Sequence, residues 1–290
     1  MERVLITGGG GYLGSKLAER LSPQVSSLYL IDLKFNELSQ ELVRTHKHVT
    51  SIYCDIRDYE SVRDCVNSAD PDTIFHLAAL LNRERDFENF ERLYDVNVMG
   101  TLNLLRAIQR GSAARFIYTS SSEVYGNGKS PFREDQVLCP ASPYSLTKLM
   151  AEELIRTYGT LYQIPFTILR LFNFYGDDMP EDFFLSQLRN TLHRNEEFRM
   201  TKGEQIRDYL EVQELISYLI GIAHSEMSIN ETVNICSGKG RKLCDLAMSE
   251  AKLQCKENLV KIGALPYRNN EVWEMVGDNQ KLRAIINPNK

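Results

Sequence analysis

The first fourteen residues constrain this chain more than any other stretch. Arg3-Val-Leu-Ile-Thr7 is an apolar run of one buried strand's length, and Gly8-Gly9-Gly10-Gly11-Tyr12-Leu13-Gly14 follows it without a spacer. Apolar residues then recur at helical spacing over residues 13–21, so the order is strand, tight turn, amphipathic helix. Glycines let a backbone approach a ligand that side chains would keep away, and the unpaired N–H groups at a helix start attract an anion. The residues satisfy Gly9-x-Gly11-x-x-Gly14 and also Gly8-x-x-Gly11-x-x-Gly14. Either register is a dinucleotide fingerprint in its required context; a merely flexible glycine loop would need no strand ahead of it.

The second strand, residues 27–32, ends in Asp32, 18 residues after Gly14. A carboxylate there accepts hydrogen bonds from ribose hydroxyls and repels a 2′-phosphate, which favours NAD over NADP. Lys34, two residues on, is the cation that would tolerate the phosphate. Further strands are expected at 49–53, 73–77, 115–119 and 165–171, separated by stretches with helical apolar spacing such as 96–108 and 144–162. That alternation predicts an α/β fold, a doubly wound parallel sheet of Rossmann type. Residues 1–171 would form this dinucleotide-binding part, with segments near 209–236 returning to it. Residues 172–290, where the pattern becomes irregular, would form mainly a smaller α/β substrate-binding region.

Composition excludes several classes. A chain of 290 residues with 43% hydrophobic content folds, and 34 Lys and Arg against 39 Asp and Glu leave a net charge of −5, which argues against nucleic acid as a partner. Neither a leader nor a spanning segment is visible, so a cytoplasmic protein with no membrane partner is expected. Six cysteines are scattered without a C-x-x-C pair; they read as reduced, mostly core, residues, with no metal site.

Chemistry is carried by Ser142-Pro143-Tyr144-Ser145-Leu146-Thr147-Lys148. A capping serine followed by proline marks a helix start, and the i, i+4 spacing puts Tyr144 and Lys148 on one face, about 5–6 Å apart at Cβ. Bringing a phenol from about 10 to about 7 takes roughly 4 kcal/mol of preferential phenolate stabilisation. An ammonium and the positive ring of an oxidised nicotinamide are suited to supply it. The pair is therefore a candidate base for removing a proton from an alcohol that loses hydride.

Over essentially its whole length the chain resembles the extended short-chain dehydrogenase/reductases, specifically the NAD-dependent nucleotide-sugar epimerase/dehydratase group. Thr7-Gly8-x-x-Gly11-x-x-Gly14 resembles that family's cofactor turn, Asp55-Ile56-Arg57-Asp58 its adenine-contacting segment, and His76-Leu77-Ala78-Ala79 the stretch beside the cofactor ribose. Asp95-Val96-Asn97-Val98-x-Gly100-Thr101 is similar to the helix whose asparagine supports the active site. Arg170-Leu171-Phe172-Asn173-Phe174-Tyr175-Gly176 resembles the substrate-diphosphate strand; Arg207-Asp208-Tyr209-Leu210 and Pro266-Tyr267-Arg268 resemble substrate segments farther along.

The resemblance implies a cofactor site of Gly8, Gly11, Tyr12, Leu13, Gly14, Asp32, Asp55, Ile56, Leu77, Ala78, Ala79, Asn97 and Lys148. It implies a substrate site including Ser122, Asn173, Arg207 and Arg268. Tyr144 would be the base toward the sugar 4-hydroxyl, with Lys148 lowering its pKa. Ser121, four residues before Tyr125, would hydrogen-bond the reacting oxygen; Ser120 and Ser122 are its neighbours in register. Ser122-Glu123 resembles the pair that follows this serine in members that process a 4-keto sugar further, so Glu123 is either a base at C5 or a strand-end structural residue. Arg83 and Arg85, in Leu80-Leu81-Asn82-Arg83-Glu84-Arg85-Asp86-Phe87, either read a carboxylate or polyol on the sugar or belong to a solvated loop.

The implied activity is NAD-dependent oxidation of a nucleotide sugar at C4, leading to epimerisation or dehydration. A net C4 dehydrogenase or 4-keto reductase, a decarboxylase, and a non-enzymatic NAD-sensing scaffold are the alternatives. The resemblance also implies a homodimer formed by a four-helix bundle, with Leu102, Leu105, Leu149 and Leu154 as candidate contacts.

Overall fold

The structure, a computed structural model, describes residues 1–82, 86–108, 114–268 and 271–287. In chain order the first half contains β1 (Arg3–Thr7), α1 (Tyr12–Leu21), β2 (Ser27–Asp32), α2 (Glu37–Thr45), β3 (Val49–Tyr53), α3 (Tyr59–Ala69), β4 (Thr73–His76), α4 (Phe90–Tyr94), α5 (Gly100–Ala107), β5 (Arg115–Ser121), α6 (Pro143–Tyr162) and β6 (Phe166–Leu171). The second contains β7 (Asn173–Tyr175), α7 (Phe184–His193), β8 (Phe198–Arg199), β9 (Ile206–Glu211), α8 (Val212–His224), β10 (Glu231–Ile235), β11 (Gly240–Lys242), α9 (Leu243–Leu253), β12 (Val260–Lys261), β13 (Glu274–Met275) and α10 (Gln280–Ile286).

Seven strands pair in parallel in the order β10-β6-β5-β4-β1-β2-β3. Val4, Leu5 and Ile6 have no exposed surface, as a central strand covered on both faces requires. One core cluster joins Val4 and Ile6 to Leu17, Leu215 and Leu219 from α1 and α8. The other joins Leu5 to Val62, Leu104 and Ile155 from α3, α5 and α6. Each such side chain contributes roughly 1.5–3 kcal/mol on burial. The strand order reverses between β1 and β4, so the connections leaving their C-terminal ends part and open a crevice there.

Three elements differ from expectation. Strand β5 runs two residues past 119, which carries Ser121 to the rim of the sheet. Pro165 stays outside β6 because it has no N–H to give, although its carbonyl accepts from Phe116. The expected 96–108 helix starts earlier: α4 and α5 are joined by a wider, π-type turn over Asp95–Met99.

Segment 212–235 folds as α8 and β10, the latter pairing with β6 at the sheet edge. A smaller sheet of β11, β9 and β13, with β7 beside β9, packs near a separate apolar cluster from α7 and α9. Asp208, fully buried on β9, ties these pieces by accepting from the amides of Ser237 at 2.9 Å and Gly277 at 3.3 Å. Among the described residues no helix is long and apolar enough to cross a membrane.

Candidate active site

The glycine turn is closed by backbone geometry. Gly8 has φ +72°, its amide donates to the Ile31 carbonyl at 2.9 Å, and the Gly11 amide donates back to the Gly8 carbonyl at 3.0 Å. A Cβ on Gly14 would sit 2.0 Å from the Gly8 carbonyl oxygen, which no side chain can do. A Cβ on Gly11 would instead meet only that oxygen, at 3.3 Å, and otherwise project into open space. Helix α1 has no side-chain cap and no acidic residue in its first turn, so its leading N–H groups are available to an anion.

Asp32 braces this turn from β2. Its Oδ2 accepts from the Gly10 amide at 3.0 Å and its Oδ1 from the Leu33 amide at 2.7 Å. Lys34 is exposed and lies outside the cavity lining. The Tyr12 phenol donates to the Asp177 carbonyl at 2.8 Å, linking the turn to the loop after β7. Burial first, and then Asp178 and Asp177, push this phenol up to about 12.

A cavity of about 880 Å³ runs from the turn to the rim of β5 and on to the smaller sheet. Gly8, Gly11, Tyr12, Leu13, Gly14, Asp32, Asp55, Ile56 and Leu77, Ala78, Ala79 line its first part. The Arg57 guanidinium beside Asp55 holds that carboxyl below its ordinary range. Ser121, Ser122, Glu123, Tyr144 and Lys148 line the middle, and Asn173, Arg207 and Arg268 the far end. Arg83 and Arg85 lie outside the described residues.

Asn97, expected at the cofactor, is instead buried behind this lining. The π-type turn directs it inward, where its Oδ1 accepts from the Leu80 amide at 2.8 Å and its Nδ2 donates to Thr147 Oγ1 at 3.0 Å. It ties the segment after β4 to the helix carrying Lys148. His76 is a second buried brace. Thr101 donates to the Asn97 carbonyl at 2.6 Å and must therefore accept from His76 Nε2–H, leaving Nδ1 to accept from Thr7. Burial, and then the charge of Lys148, depress His76 to about 3, so the ring is neutral.

Tyr144 and Lys148 stand at the start of α6, whose first turn is fixed by a reciprocal cap: the Ser145 amide donates to Ser142 Oγ at 3.1 Å and the Ser142 amide to Ser145 Oγ at 3.0 Å. The Ser121 hydroxyl interacts with the Tyr144 phenol and favours its ionised form. Yet the phenol is pushed up, first by burial and then by the Glu123 carboxylate, rather than lowered as the spacing to Lys148 suggested. Desolvation and the Glu123 carboxylate outweigh the Ser121 hydrogen bond. Lys148 is 2% exposed, and burial brings it down to about 7 against the opposing charge of Glu152.

Glu123 accepts from the Ser142 hydroxyl at 3.3 Å and acts electrostatically on both Tyr144 and Arg207, so its carboxylate faces the middle of the cavity. Arg207 pairs with Glu271 at 3.1 Å, both mostly buried; burial lowers the guanidinium and Glu271 opposes this. Glu271, Tyr209 and Met179 also line the far end. Tyr209 lies in the segment whose resemblance pointed to the substrate, whereas Glu271 and Met179 were missed because they sit in irregular segments without periodic or motif signal.

Residues 5–287 match the protein family described as GDP-mannose 4,6 dehydratase. A UDP-N-acetyl-alpha-D-glucosaminuronate decarboxylase of Bacillus cytotoxicus is 30% identical over 256 residues, covering 85% of this chain and 78% of its own. A putative UDP-glucose 4-epimerase of Methanocaldococcus jannaschii is 29% identical over 249 residues, covering 84% of this chain and 79% of its own. Among solved structures, MoeE5 in complex with UDP-glucuronic acid and NAD is similar with a TM-score of 0.87 at 25% identity, over 98% of this chain and 92% of that one.

Proposed function

Because this chain belongs to the GDP-mannose 4,6 dehydratase family, NAD-dependent nucleotide-sugar enzymes of the extended short-chain dehydrogenase/reductase type, we propose that it oxidises a nucleotide sugar at C4 and passes the 4-keto sugar on to an epimerised or dehydrated product. The observation that carries this reading is one cavity with a glycine-lined helix start at one end and Ser121, Tyr144, Lys148 and Glu123 along its middle wall. The residues fit NAD: the open space over Gly11 and the uncapped start of α1 suit a pyrophosphate, and Asp32 suits a ribose. NAD bound there would supply the hydride acceptor and a further positive charge.

The chain's own groups do the rest. Tyr144 takes the proton of the sugar 4-hydroxyl, while the Ser121 hydroxyl hydrogen-bonds the reacting oxygen and shares the developing charge. Lys148 contributes a cation one helical turn away and would hold the ribose hydroxyls of the cofactor. Glu123, beside Tyr144, is positioned to take the C5 proton that the 4-keto group acidifies. Arg207 and Arg268 bind the diphosphate end, with Asn173 and Ser122 contacting the substrate. The unit formed by β7, β9, β11 and β13, with the cluster beside it, is read as the substrate-binding part.

A decarboxylating version of the same chemistry is the second reading, favoured by the Ser122-Glu123 pair. Incubating the protein and NAD with a panel of nucleotide sugars, then weighing the products by mass spectrometry, tests both. An isomer, a product lighter by one water, or one lighter by carbon dioxide, formed without net appearance of reduced cofactor, is the expected outcome. Stoichiometric accumulation of NADH would instead indicate a net dehydrogenase.

The protein is read as cytoplasmic and homodimeric. Leu105 is fully buried in the core and cannot contact a partner. Leu149 packs inward against the cluster of Val124, Tyr125 and Phe132. Leu102 and Leu154 remain, and Met150, Tyr158 and Leu161 on α6 join Leu154 in a stripe as the dimer face, Met150 and Leu161 being 37% and 69% exposed.

A further inference from the structure

One buried group beside this site has no task in the chemistry above. Tyr118, on β5, is 1% exposed, and among the described residues its hydroxyl meets no hydrogen-bond partner. The contacts that Tyr118 makes with the neighbouring titratable groups are made through its ring. That ring faces Lys148, whose Nζ lies 4.4 Å from the ring centroid. Among the described residues, Lys148 Nζ makes neither an ion pair nor a hydrogen bond.

The one nearby carboxylate is already taken. Glu152, one turn farther along α6, accepts from Ser120 at 2.6 Å, from Arg170 at 3.0 and 2.8 Å, and from Arg156 at 2.8 Å. It acts on Lys148 through space without bonding it. From β4 the neutral His76 ring faces the same spot, its centroid 5.4 Å from that of Tyr118 with the planes tilted by 38°. Tyr144 stands one turn before Lys148 on the same helix, and Asp95, on the π-type turn, is directed to solvent.

We infer that Tyr118 is a positioning residue whose ring face seats the Lys148 ammonium, holding it charged and aimed into the cavity where solvent is excluded. This rests on the proposed role of Lys148 in the reaction. An aromatic face stabilises a cation most where water is absent, and at 2% exposure Lys148 has little water to replace it. Removing the ring therefore lets Lys148 lose its proton at lower pH, so the high-pH limb of kcat/KM moves toward acid.

The test compares Lys148→Met, Tyr118→Phe and Tyr118→Leu in the full chain, measuring the pH profile of kcat/KM and the Kd for NAD. Tyr118→Phe keeps the wild-type profile, with turnover within about twofold and equal or greater thermal stability. Tyr118→Leu shifts the high-pH limb down by about one pH unit and lowers kcat/KM about tenfold. Should Tyr118→Leu fail to fold, pentafluorophenylalanine at 118 keeps the shape of phenylalanine and reverses the charge of the ring face; it is expected to reproduce the shift that phenylalanine does not show. An unmoved limb in the leucine or fluorinated protein, or a shifted limb in Tyr118→Phe, overturns the inference. Wild-type turnover in Lys148→Met would overturn the underlying reading of the site instead.

Discussion

Ser120 donates its hydroxyl proton to Glu152 at 2.6 Å, joining β5 to α6 directly behind the rim where Ser121 and Tyr144 meet. Glu152 has no exposed surface and also holds the buried guanidinium of Arg170, which in turn donates to the Tyr125 oxygen at 2.9 Å. A serine, a carboxylate and an arginine thus lock the strand carrying Ser121 to the helix carrying Tyr144.

Glu152→Ala is expected to cost about 3–5 kcal/mol, because it leaves Arg170 charged, buried and unpaired. Urea unfolding measures it, and a loss below about 1 kcal/mol would show the lock to be dispensable. Arg170 and Ser120 hold the Glu152 carboxyl below its ordinary range despite burial. Its stabilisation is therefore present at neutral pH and lost as pH falls below the ordinary carboxylate range, and the variant should lack that part of the acid sensitivity.

Tyr144→Phe should abolish turnover while leaving the Kd for NAD within a few fold, since only the proton path is removed. Residual turnover within tenfold of wild type would assign the base elsewhere.

Glu123→Gln should stop the reaction after oxidation, with a 4-keto species visible on trapping by borohydride. Glu123 raises the Tyr144 phenol, so the same substitution should also lower its pKa in an ultraviolet difference titration. Wild-type product formation together with an unmoved titration would reduce Glu123 to a strand-end residue.

Gly14→Ala should weaken NAD binding at least a hundredfold by calorimetry. The new Cβ would lie 2.0 Å from the Gly8 carbonyl oxygen and 2.9 Å from Gly9 Cα, all backbone that cannot yield without opening the turn. Binding within tenfold of wild type would mean that the cofactor does not rest on this turn.

His76 adds an acid limit to stability. Its folded value of about 3 lies below the ordinary 6.5, so below about 6.5 the unfolded chain takes a proton that the folded one refuses. Stability should fall as pH drops from about 6.5 toward 3, and His76→Asn should flatten that slope while costing stability at pH 7 through the lost bridge between Thr7 and Thr101. Equal slopes in the two proteins would remove His76 from the account.

The features legible in the chain alone were local ones. The strand before Gly8, the turn through Gly14, Asp32 at the end of β2 and the capped first turn that sets Tyr144 and Lys148 on one face all follow from side-chain spacing within one or two elements. Spacing reports which face a residue shares with its neighbours in sequence. It carries no record of what lies across the sheet. Folding alone brought Glu271 to Arg207, Glu152 to Ser120 and Arg170, and the Tyr118 ring to Lys148; it also moved Asn97 behind the lining. The Tyr144 phenol rose for the same reason: solvent exclusion is set by every element that packs around a group, and Glu123 reaches it from another element, so spacing along one helix does not report either influence.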